Sequence, residues 1–237
     1  MTTLNYIGHS AFTVQSGGLT IAIDPFISGN PTAKISADGV SPDYIFITHA
    51  HNDHVGDAIE LSKRTGCPVV STVELANVLA TKGANTVGMN IGGTYRFDGG
   101  SVKMVPAWHT STWTDENGNV VAPGVPTGLI LKLGEGNDRK TIYFAGDTCL
   151  FMDMQLIGDE ELDVAVIPIG DHFTMGPDDA VKAVKFLRPK TVVPCHYNTF
   201  PPIEQDPQAF KSKVEAQTQA KCKVMAPGDS WEIGQDE

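Results

Sequence analysis

The sequence lacks several features that would each define a class of protein. No apolar run approaches the roughly 18 residues that a membrane-spanning helix needs, so we expect no membrane partner. The first residues show no basic segment followed by an apolar stretch, so no secretory signal is visible. The 4 cysteines form neither a C-x-x-C pair nor a disulfide-like framework. Together these absences predict reduced thiols in a cytoplasmic protein.

Basic residues are also scarce. The 237 residues include 17 Lys and Arg against 28 Asp and Glu, which gives a net charge of -11. A broad basic face is therefore not expected, and this argues against nucleic acid as a partner. A small anionic substrate is still compatible with this charge, because bound metal ions reverse the local field. We expect a small-molecule substrate, and the sequence leaves homo-oligomer formation open.

Metal-binding side chains are concentrated in residues 48–54, Thr-His-Ala-His-Asn-Asp-His. On a helix, residues two apart point to nearly opposite sides, so His49 and His51 could share an ion only on a loop. Alone, Asp53 could be a helix N-cap, and any single histidine could be a packing residue. Four such side chains in six positions favour a metal site that suits zinc, manganese, iron or nickel. The four are His49, His51, Asp53 and His54.

Short apolar, β-branched segments recur along the chain and predict strands. They cover residues 11–15, 19–23, 44–48, 68–71, 102–106, 128–133, 141–145, 164–169, 191–194, 223–225 and 230–233. Helical patterns cover residues 57–64, 73–81, 177–187 and 208–220. The Gly-, Pro- and Ser/Thr-rich residues 25–43 and 107–127 are expected to be irregular. Hairpins first, then alternating strands and helices, predict one mixed α/β domain over residues 1–237.

Several predicted strands run directly into one polar residue. Side chains at the same ends of adjacent strands converge on one crevice, where open α/β architectures place their ligands. These strand-end residues are Asp24, His49, His109, Asp147 and His196. The pattern therefore predicts that residues far apart in the sequence complete the site begun by residues 48–54.

The chain has 7 histidines, and two of them lie beside glycines outside this pattern. They are His9, in Gly-His-Ser, and His172, in Gly-Asp-His-Phe-Thr-Met-Gly-Pro. Each could support a ligand or contact substrate, and local hydrogen bonding to the loop backbone is an equally good interpretation. Trp108, Trp113 and Phe173 could line a pocket, although ordinary packing explains each of them at least as well.

These residues resemble the metallo-β-lactamase superfamily. Its most specific signature, H-x-H-x-D-H, matches His49, His51, Asp53 and His54. The ordered companions are also present as Asp24, His109, Asp147 and His196. The segments Tyr-Ile-Gly-His-Ser, Pro-Ala-Trp-His and Ala-Gly-Asp-Thr are similar to a branch of small uncharacterised metal-dependent hydrolases. That branch also resembles the ascorbate-6-phosphate lactonases.

The resemblance implies a four-layer αββα sandwich with a dinuclear metal site in the cleft between the sheet edges. It implies that one metal is held by His49, His51 and His109, and the second by Asp53, His54 and His196. Asp147 would bridge both metals. Asp24 would be a supporting carboxylate that fixes a ligand imidazole or the loop. At Asn52 many relatives carry glycine, and we expect its side chain to point between the ligands.

The resemblance further implies a metal-dependent hydrolase with two divalent ions, zinc first, that cleaves an ester, lactone, amide or phosphoester. A hydroxide between the metals would be the nucleophile, oriented by Asp53. His172, with His9 as second choice, would protonate the leaving group or contact the oxyanion. The alternatives are a di-iron or mononuclear-iron redox protein, a phosphodiesterase or nuclease of the same fold, and a non-catalytic binding protein.

Overall fold

The computed structural model describes residues 1–115 and 117–235. Strands within these ranges are β1 (Thr2–Gly8), β2 (Ala11–Ser16), β3 (Leu19–Ile23), β4 (Tyr44–Phe46), β5 (Val69–Thr72), β6 (Thr86–Met89), β7 (Thr94–Phe97), β8 (Gly100–Pro106), β9 (Trp113–Thr114), β10 (Val120–Val121), β11 (Thr127–Leu133), β12 (Lys140–Phe144), β13 (Val164–Pro168), β14 (Thr191–Cys195), β15 (Lys221–Cys222) and β16 (Ser230–Glu232). The helices are α1 (Asn52–Val55), α2 (Ala58–Thr65), α3 (Val73–Thr81), α4 (Met154–Gly158), α5 (Pro177–Leu187) and α6 (Pro207–Gln217).

Fourteen of these strands form two seven-stranded sheets with the same order of antiparallel and parallel pairing, and β9 and β10 pair separately. The first has the order β16-β1-β2-β3-β4-β5-β6 and the second β15-β14-β13-β12-β11-β8-β7. In the first sheet the pairing is antiparallel up to β3 and parallel beyond it. In the second sheet the same change occurs at β12. Short turns suffice for the antiparallel strands, whereas the parallel strands need longer crossovers, several of which contain helices.

Alternating side chains divide the apolar residues of each sheet between two layers. Phe12 and Val14 of β2 belong to the central cluster between the sheets, whereas Ala11 belongs to the cluster on the opposite face. On β12, Ile142 lies in the central cluster and Tyr143 in the one outside the second sheet. Because both faces of these strands are covered, their sequences read as continuous apolar runs.

Helices cover the two outer faces. Leu61 of α2 and Leu75 of α3 pack outside the first sheet. Val184 of α5 and Phe210 of α6 pack outside the second sheet. The layers are therefore helix, sheet, sheet, helix, and the predicted αββα sandwich is confirmed. None of the helices in residues 1–115 and 117–235 is long and apolar enough to cross a membrane.

The structure corrects several predicted elements. Strands β1, β6 and β7 were not predicted. The strand predicted at residues 223–225 is instead the shorter β15, which ends at Cys222. Parallel pairing already begins in the first half, after β3, where only hairpins were expected. The segment predicted to be irregular at 107–127 contains the β9–β10 hairpin. These strands are short or partly polar, and they are stabilised by pairing with other strands, which local propensity does not show.

The two sheets meet at one end through residues that follow their strands. Thr127, the first residue of β11, donates from N and Oγ1 to the carbonyl oxygen of Thr48, at 3.0 and 2.9 Å. His196, which follows β14, donates from its backbone N to the carbonyl oxygen of His9, at 2.8 Å. The first pair of hydrogen bonds joins the carboxyl end of β4 to the amino end of β11, and the last joins the carboxyl ends of β1 and β14. Together they form the edge of a cleft.

Candidate metal centre

Four potential ligands form a first group at this cleft. Each residue offers one donor atom, a ring nitrogen or a carboxylate oxygen, and these atoms all lie within 4.8 Å of one another. The Nε2 of His49 is 2.9 Å from the Nδ1 of His51, and the His109 ring centroid lies 5.3 Å from that of His49. The members are His49, His51, His109 and Asp147. Three imidazoles and one carboxylate at such separations form the donor set of a tetrahedral metal site.

A second group of four lies beside the first, again with its donor atoms within 4.8 Å of one another. It contains three residues predicted from the sequence, Asp53, His54 and His196, together with His9. The Nε2 of His9 is 3.2 Å from Oδ2 of Asp53. The structure therefore brings His9 among the expected ligands of the second metal rather than behind them.

Asp147 contacts imidazoles of both groups. Its Oδ2 lies 3.0 Å from Nε2 of His196 and 3.5 Å from Nε2 of His109. The same oxygen is 3.9 Å from Nε2 of His49, and Oδ1 is 3.3 Å from Nε2 of His54. The carboxylate is buried. A side chain shared in this way occupies the position that a bridging ligand requires.

The loop after β4 differs from the prediction in one respect. His49 and His51 precede a helical turn, α1, so the helical backbone begins at Asn52 rather than near Asp57. This turn places Asp53 and His54 on the cleft. Gly56 ends it with a φ of 45°, and a Cβ at Gly56 would overlap the carbonyl oxygen of Pro25. Glycine is required here because the two loops touch through their backbones.

Asp24 fixes the loop and one imidazole. Its Oδ1 accepts a hydrogen bond from Thr48 N at 2.8 Å, and its Oδ2 accepts from Thr48 Oγ1 at 2.6 Å. Oδ2 also lies 2.7 Å from Nδ1 of His54. Asp24 has a φ of 42°, in the left-handed region, so surrounding contacts must hold it there. The carboxylate sits where the supporting role inferred from the sequence needs it.

Asp24 and Asp147 occupy equivalent places in the two sheets. Asp24 directly follows β3, and Asp147 follows β12 after Ala145 and Gly146. These are the strands at which pairing changes from antiparallel to parallel. Ligand sites in open sheets tend to form at such points, where neighbouring connections diverge. The repeated plan of the sheets therefore brings two buried carboxylates to one cleft.

The local electrostatics favour the metal-binding protonation states at most positions. Burial, with His54 nearby, lowers the pKa of His49 well below its usual value. Burial also lowers the pKa of His51 and of His109. Burial opposes ionisation of Asp147, but the neighbouring His196 and His54 hold its pKa well below the usual range. Neutral imidazoles and an ionised carboxylate are the forms that bind cations.

His54 is the exception, and it provides a test of whether a cation fits. Burial alone would lower its pKa, but Asp147 and Asp24 outweigh burial and raise it well above the usual value. Among the described residues, the buried atoms His54 Nε2, Asp147 Oδ1 and His196 Nδ1 have no hydrogen-bond partner. Buried polar atoms are normally satisfied. A cation between His54 Nε2 and Asp147 Oδ1 would satisfy both, so these residues fit a metal.

Residues at the rim are placed differently. His172 is exposed in the turn after β13, lies in neither four-residue group, and contacts Phe173 with ring centroids 4.5 Å apart. Trp108 and Phe173 are 65% and 52% exposed, so both are available to a substrate. Trp113 is only 8% exposed and belongs to the apolar cluster outside the first sheet. For Trp113, the packing interpretation was the right one.

Threonines that hold the imidazoles were not found from the sequence. Thr48 Oγ1 lies 3.0 Å from Nδ1 of His49, and Thr110 Oγ1 lies 3.4 Å from Nε2 of His51. Thr199 Oγ1 lies 2.9 Å from Nδ1 of His9. Thr48 and Thr110 are each next to a predicted ligand, which is a signal that could have been used. Thr199 has no comparable signal toward His9.

The expectation for Asn52 is wrong. Its side chain points away from the ligands, and its Nδ2 donates to the carbonyl oxygen of Thr114 at 3.1 Å while its Oδ1 accepts from Thr114 N at 3.2 Å. This pair of hydrogen bonds attaches the β9–β10 hairpin to the turn that carries Asp53 and His54. Asparagine at this position therefore orders the loop beside the cleft.

Substituting Asn52→Ala is expected to release this hairpin without removing any potential ligand. Amide hydrogen exchange at Thr114 should accelerate by about tenfold, the equivalent of about 1.4 kcal/mol for the lost hydrogen bonds. Exchange measured by NMR or mass spectrometry checks this, with Thr81→Ala on the exposed face of α3 as the control. Unchanged exchange at Thr114 would show that Asn52 does not hold the hairpin.

Comparisons with known proteins agree with this geometry. Residues 3–196 match the family model described as the β-lactamase superfamily domain. A UPF0173 metal-dependent hydrolase of Pelotomaculum thermopropionicum is 48% identical over 231 residues, covering 97% of this chain and 99% of the relative. One from Thermus thermophilus is 53% identical over 214 residues, covering 90% and 92%. The solved structure of Igni18, a metallo hydrolase of Ignicoccus hospitalis, is 43% identical with a TM-score of 0.87, covering 98% and 99%.

Proposed function

Because this chain belongs to the β-lactamase superfamily, among its metal-dependent hydrolases, we propose that it is a two-metal hydrolase of a small-molecule ester, lactone, amide or phosphoester. The observation that carries this proposal is the position of Asp147, whose carboxylate contacts imidazoles of both four-residue groups. One carboxylate between two complete donor sets is expected for a pair of metals and is not needed for one.

The proposed ligands divide as the superfamily resemblance implies. His49, His51 and His109 would hold one metal, and Asp53, His54 and His196 the other, with Asp147 between them. Imidazole and carboxylate donors without cysteine support zinc, while manganese, iron and nickel share the same preference. When bound, two divalent ions lower the pKa of water and withdraw electron density from the oxygen of the substrate.

Asp53 is suited to orient water at the cleft. Its side chain is 34% exposed, unlike the fully enclosed Asp147. In the metal-free protein, burial opposes the ionisation of Asp53, but hydrogen bonding from His9 and the charge of His54 keep its pKa below the usual range. The ionised carboxylate can accept a hydrogen bond from water and so orient it toward the substrate.

His172 and the rim aromatics would act on the substrate rather than on the metals. The His172 imidazole is exposed and near Phe173, so it can donate a proton to a departing alcohol or amine. Trp108 and Phe173 offer apolar surface to the part of the substrate that does not react. We propose a small molecule as the substrate, since the acidic chain offers no support for a polyanion.

Substituting His51→Ala tests the function. His51 presents Nδ1 to the first group and is only half-buried, so its removal should spare the fold. We expect the turnover of ester, lactone and phosphodiester panels by zinc-loaded protein to fall at least about 100-fold, as metal occupancy falls. Metal content by elemental analysis and circular dichroism accompany the assay.

Lys182→Ala, which removes an exposed ion pair with Asp179, is the surface control and should retain activity. A di-iron or mononuclear-iron redox protein would instead consume oxygen and contain iron without hydrolysing any panel member. Wild-type protein that binds metal but hydrolyses none of these classes would refute the proposed reaction.

The cysteines support a cytoplasmic location as a further part of this proposal. The structure contains them as free thiols, Cys67, Cys149, Cys195 and Cys222. Free thiols persist in reducing compartments, whereas secreted proteins tend to pair them. Fractionation of cells that express the tagged chain would check this location.

A further inference from the structure

His9 has an unusual backbone conformation that several contacts maintain. It lies between β1 and β2 with a φ of 60°, which is uncommon for a residue other than glycine. Its carbonyl oxygen accepts hydrogen bonds from Tyr6 Oη at 3.1 Å and from His196 N at 2.8 Å. Its imidazole is fully enclosed. Such conformations persist where neighbouring structure fixes them, and they cluster at functional sites.

The His9 ring is held through the same nitrogen, Nδ1, as the rings of two predicted ligands. In His49 and in His54, Nδ1 is held by a side-chain oxygen while Nε2 faces the cleft, toward Asp147. In His9, Nδ1 is held by Thr199 Oγ1 at 2.9 Å and Nε2 faces Oδ2 of Asp53 at 3.2 Å. Metal-binding histidines commonly have one nitrogen fixed in this way so that the other is aimed at the ion.

The hydrogen bonds around His9 allow a tautomer in which its inner nitrogen, Nε2, is free to bind a metal. The Thr199 hydroxyl has the carbonyl oxygen of Tyr197 as an acceptor at 3.5 Å, so its own oxygen can accept from Nδ1–H of His9. In this tautomer Nε2 carries a lone pair that faces the Asp53 carboxylate. Without a metal, the opposite tautomer lets Nε2–H donate to Asp53, whereas a bound cation would lie between these two acceptors, which are 3.2 Å apart.

We propose that His9 is a ligand of the second metal, which it binds through Nε2 together with Asp53, His54 and His196. Two donors each about 2.0–2.2 Å from one zinc ion are about 3.0–3.5 Å apart when their bonds form angles of about 90–110°, and the observed separation fits. This inference rests on the proposed two-metal function and deepens it. It makes the site asymmetric, with an additional imidazole on the side of Asp53.

Two substitutions separate a ligand from a residue that merely orients Asp53. His9→Asn suits the left-handed backbone and preserves a donor to Thr199 but lacks the inner nitrogen. His9→Gln places an amide donor near Asp53. If His9 is a ligand, both variants should bind the second zinc ion about 100-fold more weakly while the first ion binds normally. Competition with a chromophoric chelator measures the affinities for the first and the second zinc ion on the full-length, metal-stripped chain.

A direct measurement uses the protein loaded with cadmium-113 and labelled with nitrogen-15 histidine. We expect one-bond coupling to cadmium in six of the 7 imidazoles, with His172 uncoupled, and loss of one coupled signal in His9→Asn. Normal second-metal affinity in His9→Gln, or an uncoupled His9 ring in protein that binds two ions, would overturn the assignment of His9 alone. Wild-type protein that binds fewer than two ions would instead overturn the proposed function.

Discussion

Replacing Asp147 with asparagine is expected to reduce kcat/KM by about 10⁴-fold. A loss of this size is typical when one of several residues that act together in catalysis is removed. The amide has the shape of the carboxylate, but its nitrogen cannot bind a cation. Either orientation of the amide presents that nitrogen to an imidazole of the second group, because Oδ1 faces His54 and Oδ2 faces His196 as well as His109. Zinc occupancy measured by elemental analysis should fall from two ions to one or fewer.

Metal-induced stabilisation gives a second measurement of the same substitution. Zinc at about 1,000 times its dissociation constant should stabilise the wild-type protein by about 4 kcal/mol for each site that only the folded chain forms. The Tm of Asp147→Asn should therefore respond weakly to zinc or to a chelator. Differential scanning calorimetry with and without the chelator checks this.

Glu160→Gln is the matched control for this carboxylate. Glu160 also lies between two partners, since its oxygens accept hydrogen bonds from Lys103 and Lys132, each at 2.7 Å. Its loss should cost about 1 kcal/mol of stability, in line with partly exposed ion pairs, and should change neither zinc content nor turnover. If Asp147→Asn kept two zinc ions at wild-type affinity, Asp147 would not be the shared ligand.

Much of this centre could be predicted because its residues follow short apolar strands. β3 was predicted with its observed bounds, and Asp24 follows it directly. β14 was also predicted, one residue short of its end, and His196 follows it. A strand buried on both faces is visible as a local apolar run, and the polar residue that ends it is visible too. The fold class followed from the same runs and from the superfamily resemblance.

What could not be predicted depends on contacts between the two sheets. His9 and Thr199 are 190 positions apart, and they meet because the turn after β1 bonds to the residue after β14. No local pattern encodes that contact, so His9 could only be assigned a supporting role or a contact with substrate. The predicted direction of the Asn52 side chain was wrong for a similar reason. Its hydrogen-bond partner, Thr114, belongs to a hairpin that was not expected in residues 107–127.

The second large effect is expected for Asp24→Asn, which should lower the free energy of unfolding of the metal-free protein by about 3 kcal/mol. All three hydrogen bonds that the Asp24 carboxylate accepts come from two residues, Thr48 and His54. Whichever way the new amide is oriented, its N–H groups face a donor. Urea unfolding followed by circular dichroism measures the change.

The same substitution should also lower the affinity for the second zinc ion by about 10- to 100-fold, the usual effect of losing a residue that orients a metal ligand. His54 can relieve the clash only by moving its proton from Nδ1 to Nε2, and Nε2 is the nitrogen that faces Asp147. Protonation there removes the lone pair that a metal needs. Zinc titration of the full-length variant measures this loss, and the first ion should bind normally.

Asp57→Asn provides the comparison for Asp24→Asn, because Asp57 likewise accepts hydrogen bonds from backbone nitrogens, those of Ile27 and Ser28 at 2.9 and 2.8 Å. Asp57 has no imidazole among these partners, so its substitution should cost about 1 kcal/mol of stability and leave zinc binding unchanged. Equal zinc affinities in Asp24→Asn and Asp57→Asn would mean that Asp24 stabilises the loop without orienting His54. A selective loss of zinc affinity in Asp24→Asn would link the fold of the first sheet directly to the second metal, through a carboxylate that contacts both Thr48 and His54.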